Sequence, residues 1–322
     1  MSLLLTLLLQ KADALVEKAF PNDGPGGVVL VLRKGETLFH KARGLSDLAA
    51  ARPLEPGSVF DLASLSKPFT SLAILILEER GKLSLDDDIR KHLQELPVRA
   101  KAVRILDLLH MVSGHADYLP LFDDLAKGTN EEVARRVGAA GLVFPTGTKH
   151  AYSNTDYALL GLIVARASGK SYGDFLSEAV FKPLGMKSTV VLQAGVDVPR
   201  RATGYAREAG AWKVDRLDTP GIVGDGGVFS SAEDLALWDR GLSTLVKPAT
   251  LRRAFTSGPA GPYGLGWVVS GDTVWHNGRW AGSRSILTRN LKTGLTVIVL
   301  SNQASADVEG LARKLSGHFD AP

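Results

Sequence analysis

Cysteine is absent from this sequence of 322 residues. That absence excludes disulfides, thiol nucleophiles and thiolate-bound zinc. Long apolar runs are also absent, because Leu3–Leu9 is far shorter than the ~20 residues that cross a bilayer. Charge of one sign is not in large excess either: the formal net charge is +4, and the basic residues are scattered. We therefore expect no membrane span and no nucleic-acid partner.

Several motifs of known chemistry are missing as well. The chain contains no G-x-S-x-G, no H-E-x-x-H, no G-x-x-x-x-G-K-[ST] and no G-x-G-x-x-G. The seven His residues are spread along the chain, and none of their spacings suggests a metal site. Accordingly, no cofactor and no metal ligand are predicted.

The N-terminus resembles a secretory leader only in part. Its apolar run is followed by Ala12-Asp13-Ala14, but the basic segment of a leader is missing. The helical pattern continues through Val16 to Pro21, which favours a first amphipathic helix. This interpretation predicts a cytoplasmic protein, and a trimmed leader would instead make it periplasmic or secreted.

Two β-rich runs near the N-terminus predict a hairpin. They are Gly27–Arg33 and Thr37–Ala42. The strongest helix signal follows at Leu65–Arg80, where apolar residues recur at helical spacing. Proline is tolerated only in the first turn of a helix, so Pro68 places the helix start near Ser64.

The rest of the chain divides into a helical part and a strand-rich part. Helical patterns dominate from about residue 83 to residue 221. The later elements are predicted at Ala232–Leu242 (helix), Tyr263–Ser270, Asp272–His276, Arg284–Arg289, Thr296–Ser301 (strands) and Ala304–His318 (helix). This order predicts one domain over residues 1–322. Its α/β part, residues 1–81 and 222–322, contains a sheet built from both ends of the chain, and residues 82–221 form a helical insert.

The segment from Ser64 to Lys67 has the pattern S-x-x-K. Roughly one such pair is expected by chance, and a capping serine followed by a solvated lysine is the plain alternative. Its position makes it more significant, because Ser64 stands where a helix begins and positions i and i+3 share a helix face. This helix is apolar almost all round, so Lys67 needs a polar site. There it can lose its proton and activate the serine as a nucleophile.

The segment Tyr152-Ser153-Asn154 has the pattern Y-x-N, which is expected only roughly 0.1 times by chance. The plain alternative is a buried tyrosine before a helix cap formed by Asn154 or Thr155. In the functional interpretation, Tyr152 takes part in proton transfer next to Lys67. Asn154 then offers an amide that orients the lysine or the substrate.

The segment His276-Asn277-Gly278 has the pattern H-x-G, which is the least specific of the three, since roughly 0.7 matches are expected by chance. The plain alternative is a histidine at a strand end followed by a turn glycine. In the functional interpretation, Gly278 lets a substrate approach the strand edge, and His276 is a polar or cationic group nearby.

The three patterns, in this order, resemble the serine β-lactamase and penicillin-binding-protein superfamily. Similar segments extend the resemblance over most of residues 25–302: Phe60–Gly81, Ile105–Gly114, Pro145–Asn154, Phe181–Met186 and Gly226–Leu235. The chain looks most like the class C branch, which includes class C β-lactamases, D-alanyl-D-alanine carboxypeptidases, D-aminopeptidases and β-lactamase-like carboxylesterases. The resemblance implies a β-lactamase/transpeptidase-like fold of the α/β (α+β) class. In that fold a central antiparallel sheet is flanked by helices and carries an inserted all-helical lobe.

The resemblance also implies roles for the matching residues. Ser64 is the expected nucleophile, Lys67 and Tyr152 share proton transfer, and the backbone N–H groups of Ser64 and Arg279 form the oxyanion hole. No counterpart of the class A deacylation glutamate is evident, so Tyr152 would activate the deacylating water. The expected catalytic residues are Ser64, Lys67 and Tyr152, and the expected substrate-binding residues are Asn154, His276, Gly278 and Arg279.

The third motif departs from the class C β-lactamases, which carry Lys-Thr-Gly there. A histidine is charged only in part at neutral pH, so it recognises a substrate carboxylate less strongly than a lysine does. We therefore expect an esterase or D-amino-acid peptidase with weak β-lactamase activity, acting on a small-molecule ester, amide or β-lactam. A penicillin-binding sensor without turnover and an acyltransferase are the alternatives. The sequence does not indicate the oligomeric state.

Overall fold

The computed structural model of the chain describes residues 3–98 and 101–320, so the ends of the predicted domain at residues 1 and 322 lie outside it. The first predicted elements are confirmed. Helix α1 (Leu3–Ala19) ends before Pro21, and strands β1 (Gly27–Arg33) and β2 (Glu36–Arg43) form an antiparallel hairpin.

Short strands and then helices follow along the chain. The elements up to residue 184 are β3 (Leu45–Asp47), β4 (Arg52–Pro53), β5 (Phe60–Asp61), a 3₁₀ turn (Ala63–Ser66), α2 (Lys67–Glu79), α3 (Ile105–Leu109), α4 (Asn130–Ala140), α5 (Asn154–Ser168), α6 (Tyr172–Leu176), a π turn (Ser177–Phe181) and α7 (Lys182–Leu184), with further 3₁₀ turns at Ile89–Lys91, Leu119–Leu121 and Leu125–Lys127. The later elements are β6 (Val190–Val191), β7 (Tyr205–Glu208), β8 (Ala211–Val214), β9 (Val228–Ser230), α8 (Ala232–Leu245), α9 (Pro248–Ala254), β10 (Val268–Ser270), β11 (Thr273–Trp280), β12 (Ser283–Asn290), β13 (Leu295–Ser301) and α10 (Val308–Phe319). Within the described residues, no helix combines the length and apolarity needed to cross a membrane.

The central sheet has six strands in the order β10-β11-β12-β13-β1-β2. Each neighbouring pair is antiparallel. Strand β13 pairs with β1, so the sheet joins both ends of the chain, as predicted. Alternate residues of these strands point to opposite faces. Val29 and Val297 pack with α1 and α10 on one face, whereas Leu30 and Ile298 belong to the core that contains α2 and α8.

Helix α2 runs through the larger hydrophobic core. All its residues from Lys67 to Leu77 are buried, as its apolar sequence predicted. The 3₁₀ turn from Ala63 to Ser66 leads directly into it, and Pro68 occupies its first turn, where no backbone donor is needed. The prediction that a helix begins near Ser64 is therefore confirmed.

Several strands differ from the predictions. The short strands β6, β7 and β8 lie within residues 82–221, where only helices were expected. Their signal is weak because β6 has two residues and the β7–β8 hairpin is mostly exposed and partly charged. Strand β10 is shorter than predicted, since Gly266 has a left-handed backbone (φ +82°) that interrupts the extended chain. Strand β11 continues to Trp280, so His276 lies inside the strand and not at its end.

Candidate active site

The amine of Lys67 and the hydroxyl of Ser64 meet at the N-terminal end of α2. Lys67 is fully buried, at 0% exposure. Its Nζ donates to Ser64 Oγ (3.1 Å), to Asn154 Oδ1 (2.8 Å) and to the backbone carbonyl of Asp225 (2.9 Å). An ammonium has three N–H donors, so each has an acceptor. These contacts fix the amine beside the hydroxyl.

The backbone just before Ser64 is strained. Ala63 has a φ of +49°, which costs a residue with a Cβ about 1–2 kcal/mol. The N–H of Ala63 donates to Asp61 Oδ1 (2.8 Å), a contact that stabilises this bend. Such strain persists only where the surrounding structure enforces it. The bend directs the chain from β5 into the turn that presents Ser64 at the mouth of α2.

Helix α5 brings the Y-x-N motif to the same place. Ser153, and not Asn154 or Thr155, caps this helix, since its Oγ accepts from the backbone N–H of Asp156 (3.0 Å). Lys67 holds Asn154 Oδ1, which leaves the amide nitrogen of Asn154 to donate into the open space at Ser64. Tyr152 is half exposed, and the centroid of its ring lies 4.9 Å from Lys67 Nζ.

His276 lies beneath the site and is electrically neutral. Its side chain is buried on the core face of β11, with a residue exposure of 1%. Nδ1 lies 2.6 Å from the carbonyl oxygen of Asn277, and Nε2 lies 3.0 Å from the Tyr263 hydroxyl. A carbonyl only accepts, so Nδ1 carries the proton and Tyr263 donates to Nε2. Burial and, second, the charge of Lys67 lower the pKa of His276 to about 3. Of the two possibilities that the sequence left open, a polar or a cationic group, the lowered pKa favours the polar one.

Gly278 is required by the chain's own backbone. A Cβ at Gly278 would stand 2.0 Å from the carbonyl oxygen of Leu62. Ser285 Oγ on β12 donates to that same carbonyl at 2.7 Å. The glycine thus lets β11 pack on the segment that carries Ser64. Among the described residues that line the cleft at Ser64, neither Gly278 nor His276 occurs.

An open cleft begins at Ser64 and has an empty volume of about 540 Å³, part of it open to solvent. Its charged lining residues are Asp61, Asp218, Asp225 and Arg279. The guanidinium of Arg279 is already paired, because its Nη2 donates to Glu309 Oε1 at 2.9 Å.

Two carboxyl groups of the cleft have shifted pKa values. Burial raises the pKa of Asp61 to about 6. Hydrogen bonds from Arg201 and Arg216 overcome the effect of burial and hold the pKa of Asp218 at about 2.

Asp225 and Tyr118 also line the cleft, and sequence reasoning missed both of them. Tyr118 donates from its hydroxyl to Asp225 Oδ2 at 2.8 Å. Burial raises the pKa of Asp225, although the nearby Lys67 charge opposes that shift. Burial, followed by the charge of Asp225, raises the pKa of Tyr118. The available signal was a single acid between glycines, which is typical of a tight loop.

A buried polar network supports the start of α5. Asp156 Oδ1 accepts from Ser113 Oγ at 2.5 Å, and His115 Nδ1 lies 3.5 Å from the same carboxylate oxygen. Burial raises the pKa of Asp156, and the contacts with His115 and Ser113 oppose that shift. The network ties the helix end that carries Tyr152 to the loop after α3. Tyr152 itself borders a separate cavity lined by this loop.

Comparisons with known proteins find relatives over nearly the whole chain. The family model described as Beta-lactamase matches residues 13–317. Penicillin-binding protein 4* of Bacillus subtilis (strain 168) is 33% identical over 308 aligned residues, which cover 86% of this chain and 68% of that protein. A D-aminopeptidase of Gluconobacter oxydans (strain 621H) is 28% identical over 331 aligned residues, which cover 98% of this chain and 62% of that protein. This chain therefore spans about two thirds of the length of these curated relatives.

A solved structure agrees with the fold as well. The octameric penicillin-binding protein homologue from Pyrococcus abyssi superposes with a TM-score of 0.84 at 26% identity, covering 96% of this chain and 76% of that one.

Proposed function

Because this chain belongs to the Beta-lactamase family, we propose that it is a serine hydrolase that forms an acyl-enzyme on Ser64. The observation that carries the proposal is the 3.1 Å contact between Lys67 Nζ and Ser64 Oγ at the edge of an open cleft. A nucleophilic hydroxyl needs a nearby group that can take its proton, and the amine of Lys67 is that group when it is in its neutral form.

In this mechanism Ser64 Oγ attacks the substrate carbonyl, and Lys67 and Tyr152 share the transfer of its proton to the leaving group. The backbone N–H groups of Ser64 and Arg279 stabilise the negative charge on the carbonyl oxygen. Asn154 donates from its amide nitrogen to the acyl part of the substrate. Water activated by Tyr152 then releases the acyl group and restores Ser64.

The charges of the cleft favour substrates that lack a carboxylate beside the reacting carbonyl. Arg279 is the one cationic side chain among the described lining residues, and Glu309 already pairs with it. The neutral, buried His276 adds no positive charge to the cleft. Since β-lactam antibiotics carry a carboxylate next to their ring, we propose weak β-lactamase activity. The D-aminopeptidase relative supports D-amino-acid amides as substrates, together with small esters.

A substrate panel tests this function. p-Nitrophenyl esters, nitrocefin and D-alanyl p-nitroanilide are each assayed with the native protein and with Ser64→Ala and Ser66→Ala. Ser66 is the control because its Oγ accepts from the backbone N–H of Val228 at 3.1 Å. We expect ester or anilide hydrolysis that Ser64→Ala abolishes and Ser66→Ala retains. Hydrolysis that survives in Ser64→Ala contradicts the proposal. Labelling by penicillin without release indicates a sensor, and acyl transfer to an added alcohol indicates an acyltransferase.

A further inference from the structure

The loop that carries Asp225 is fixed by α2. Thr70 Oγ1 donates to the carbonyl of Gly224 (2.6 Å), and Lys67 Nζ donates to the carbonyl of Asp225 (2.9 Å). Gly224 and Gly227 have φ values of +105° and +90°, which residues with side chains rarely adopt. The fold therefore sets the position of Asp225 beside the amine that contacts the candidate nucleophile.

The carboxylate of Asp225 is oriented by its own surroundings. The Tyr118 hydroxyl donates to Oδ2 (2.8 Å), and the backbone N–H groups of Asp225 and Gly226 lie close enough to the carboxylate to act against the rise of its pKa. A carboxylate has about four lone-pair sites, so it can accept a further donor from the cleft. Asp225, Tyr118 and Asn154 line the cleft together with Ser64.

An ammonium group is the ligand that matches this carboxylate. Lys67 is the cation beside it, and all three of its donors already have acceptors. In an α-amino acid derivative, one carbon separates the amino group from the carbonyl, so the receptor of that amino group must lie near the nucleophile. Asp225 meets this condition, because its backbone and Ser64 Oγ contact the same amine.

We propose that Asp225 binds a protonated amino group on the acyl part of the substrate. The preferred acyl part is then an aminoacyl group with a free α-ammonium, as in amino-acid amides and the N-terminal residue of short peptides. This inference rests on the proposed function, since it takes the acyl group to react at Ser64. A charge-assisted hydrogen bond of this kind is among the stronger polar contacts in proteins.

The test measures binding without chemistry. Calorimetry at pH 7 compares the affinity of Ser64→Ala for D-phenylalaninamide and for 3-phenylpropanamide, which differ only in the amino group. We expect the amine to bind about ten- to a hundredfold more tightly. Asp225→Asn, made in the Ser64→Ala background, should abolish this preference. Asp117→Asn is the matched control, because it removes the same charge one residue from Tyr118 but at an exposed position outside the cleft.

Two results overturn the inference: equal affinities in Ser64→Ala, or a preference that survives Asp225→Asn. Melting curves verify that the variants fold. If Asp225→Asn does not fold, Tyr118→Phe replaces it, and an undiminished preference in that variant also counts against the inference. A preference for the amine in a protein that hydrolyses none of the panel substrates supports the ammonium site and refutes the proposed hydrolase, so the two failures are distinguishable.

Discussion

Lys67 Nζ lies 3.1 Å from Ser64 Oγ even though Lys67 is fully buried in the helix that Ser64 precedes. Burying an ammonium costs free energy unless its donors are satisfied. An apolar residue would suit this core position better, as Leu65 and Phe69 do on either side. The proposed function gives this buried lysine a role in the chemistry at Ser64.

Removing the Tyr152 hydroxyl tests the proton-transfer role. Tyr152 is 52% exposed, so Tyr152→Phe should leave the melting temperature nearly unchanged while it lowers kcat by about 10²–10⁴-fold. Tyr205→Phe is the matched control, because the Tyr205 hydroxyl accepts from the backbone N–H of Leu48 at 2.9 Å. Its loss should cost about 1 kcal/mol of stability and leave kcat unchanged. A near-normal kcat in Tyr152→Phe would show that the phenol transfers no proton.

The buried carboxylate of Asp156 should stabilise the fold. Asp156→Ala leaves Ser113 and His115 without their shared partner, so we expect urea unfolding to show a loss of about 1–3 kcal/mol. Asp174→Ala is the control: both acids stand three residues after the serine that caps their helix, but Asp174 is exposed. The stability of Asp174→Ala should differ from that of the native protein by no more than about 0.5 kcal/mol. Equal losses in the two variants would mean that the buried network contributes nothing beyond helix capping.

The raised pKa of Asp61 predicts a pH-dependent stability. Burial raises this pKa from 3.8 to about 6, so the folded protein binds the proton more tightly than the unfolded chain does. The stabilisation of the folded protein by this tighter proton binding is complete below pH ~3.8 and is lost as the pH rises through about 6. Asp61→Asn keeps the acceptor for Ala63 but does not titrate. Relative to the native protein, the free energy of unfolding of this variant should rise by at most about 3 kcal/mol between pH 4 and pH 7.

Urea unfolding at four pH values from 4 to 7 measures this difference. Asp218→Asn is the control, because its hydrogen bonds from Arg201 and Arg216 hold its pKa at about 2. Above pH 5 its curve should run parallel to that of the native protein. A parallel curve for Asp61→Asn would show that its carboxyl has an ordinary pKa.

A lysine at position 276 should destabilise the protein. From the H-x-G motif alone, His276→Lys is predicted to improve the handling of β-lactams that carry a carboxylate. The structure reverses this expectation, since the side chain is buried beside the charge of Lys67. We expect thermal or urea unfolding to show a loss of about 3–5 kcal/mol, because an unpaired charge would be buried, with no gain in nitrocefin hydrolysis. A stable variant with faster nitrocefin turnover would place residue 276 in contact with the substrate.

Local rules predicted the parts of the site that lie close together in the sequence. Pro68 located the start of α2, and the spacing of i and i+3 then placed Lys67 beside Ser64. The central antiparallel sheet followed from the order of the elements. The superfamily followed from the three motifs, and both predictions are confirmed by the family match and by the TM-score of 0.84.

Contacts between distant segments were not predictable in this way. Tyr118 and Asp225 are 107 positions apart in the sequence, and they come into contact only in the folded chain, where α2 holds the loop that carries Asp225. The burial of His276 did have a signal that was missed. Alternate residues of a strand share a face, so the apolar Val274 marks the face of His276 and Gly278 as a core face.

The most direct test of the acyl-enzyme on Ser64 is to locate a covalent adduct. The native protein and Ser64→Ala are treated with a fluorophosphonate, digested and analysed by mass spectrometry. We expect one adduct, on the peptide that contains Ser64, and no adduct in Ser64→Ala. An adduct on another residue of the native protein, or labelling of Ser64→Ala to the same extent, would contradict the assignment of Ser64 as the nucleophile.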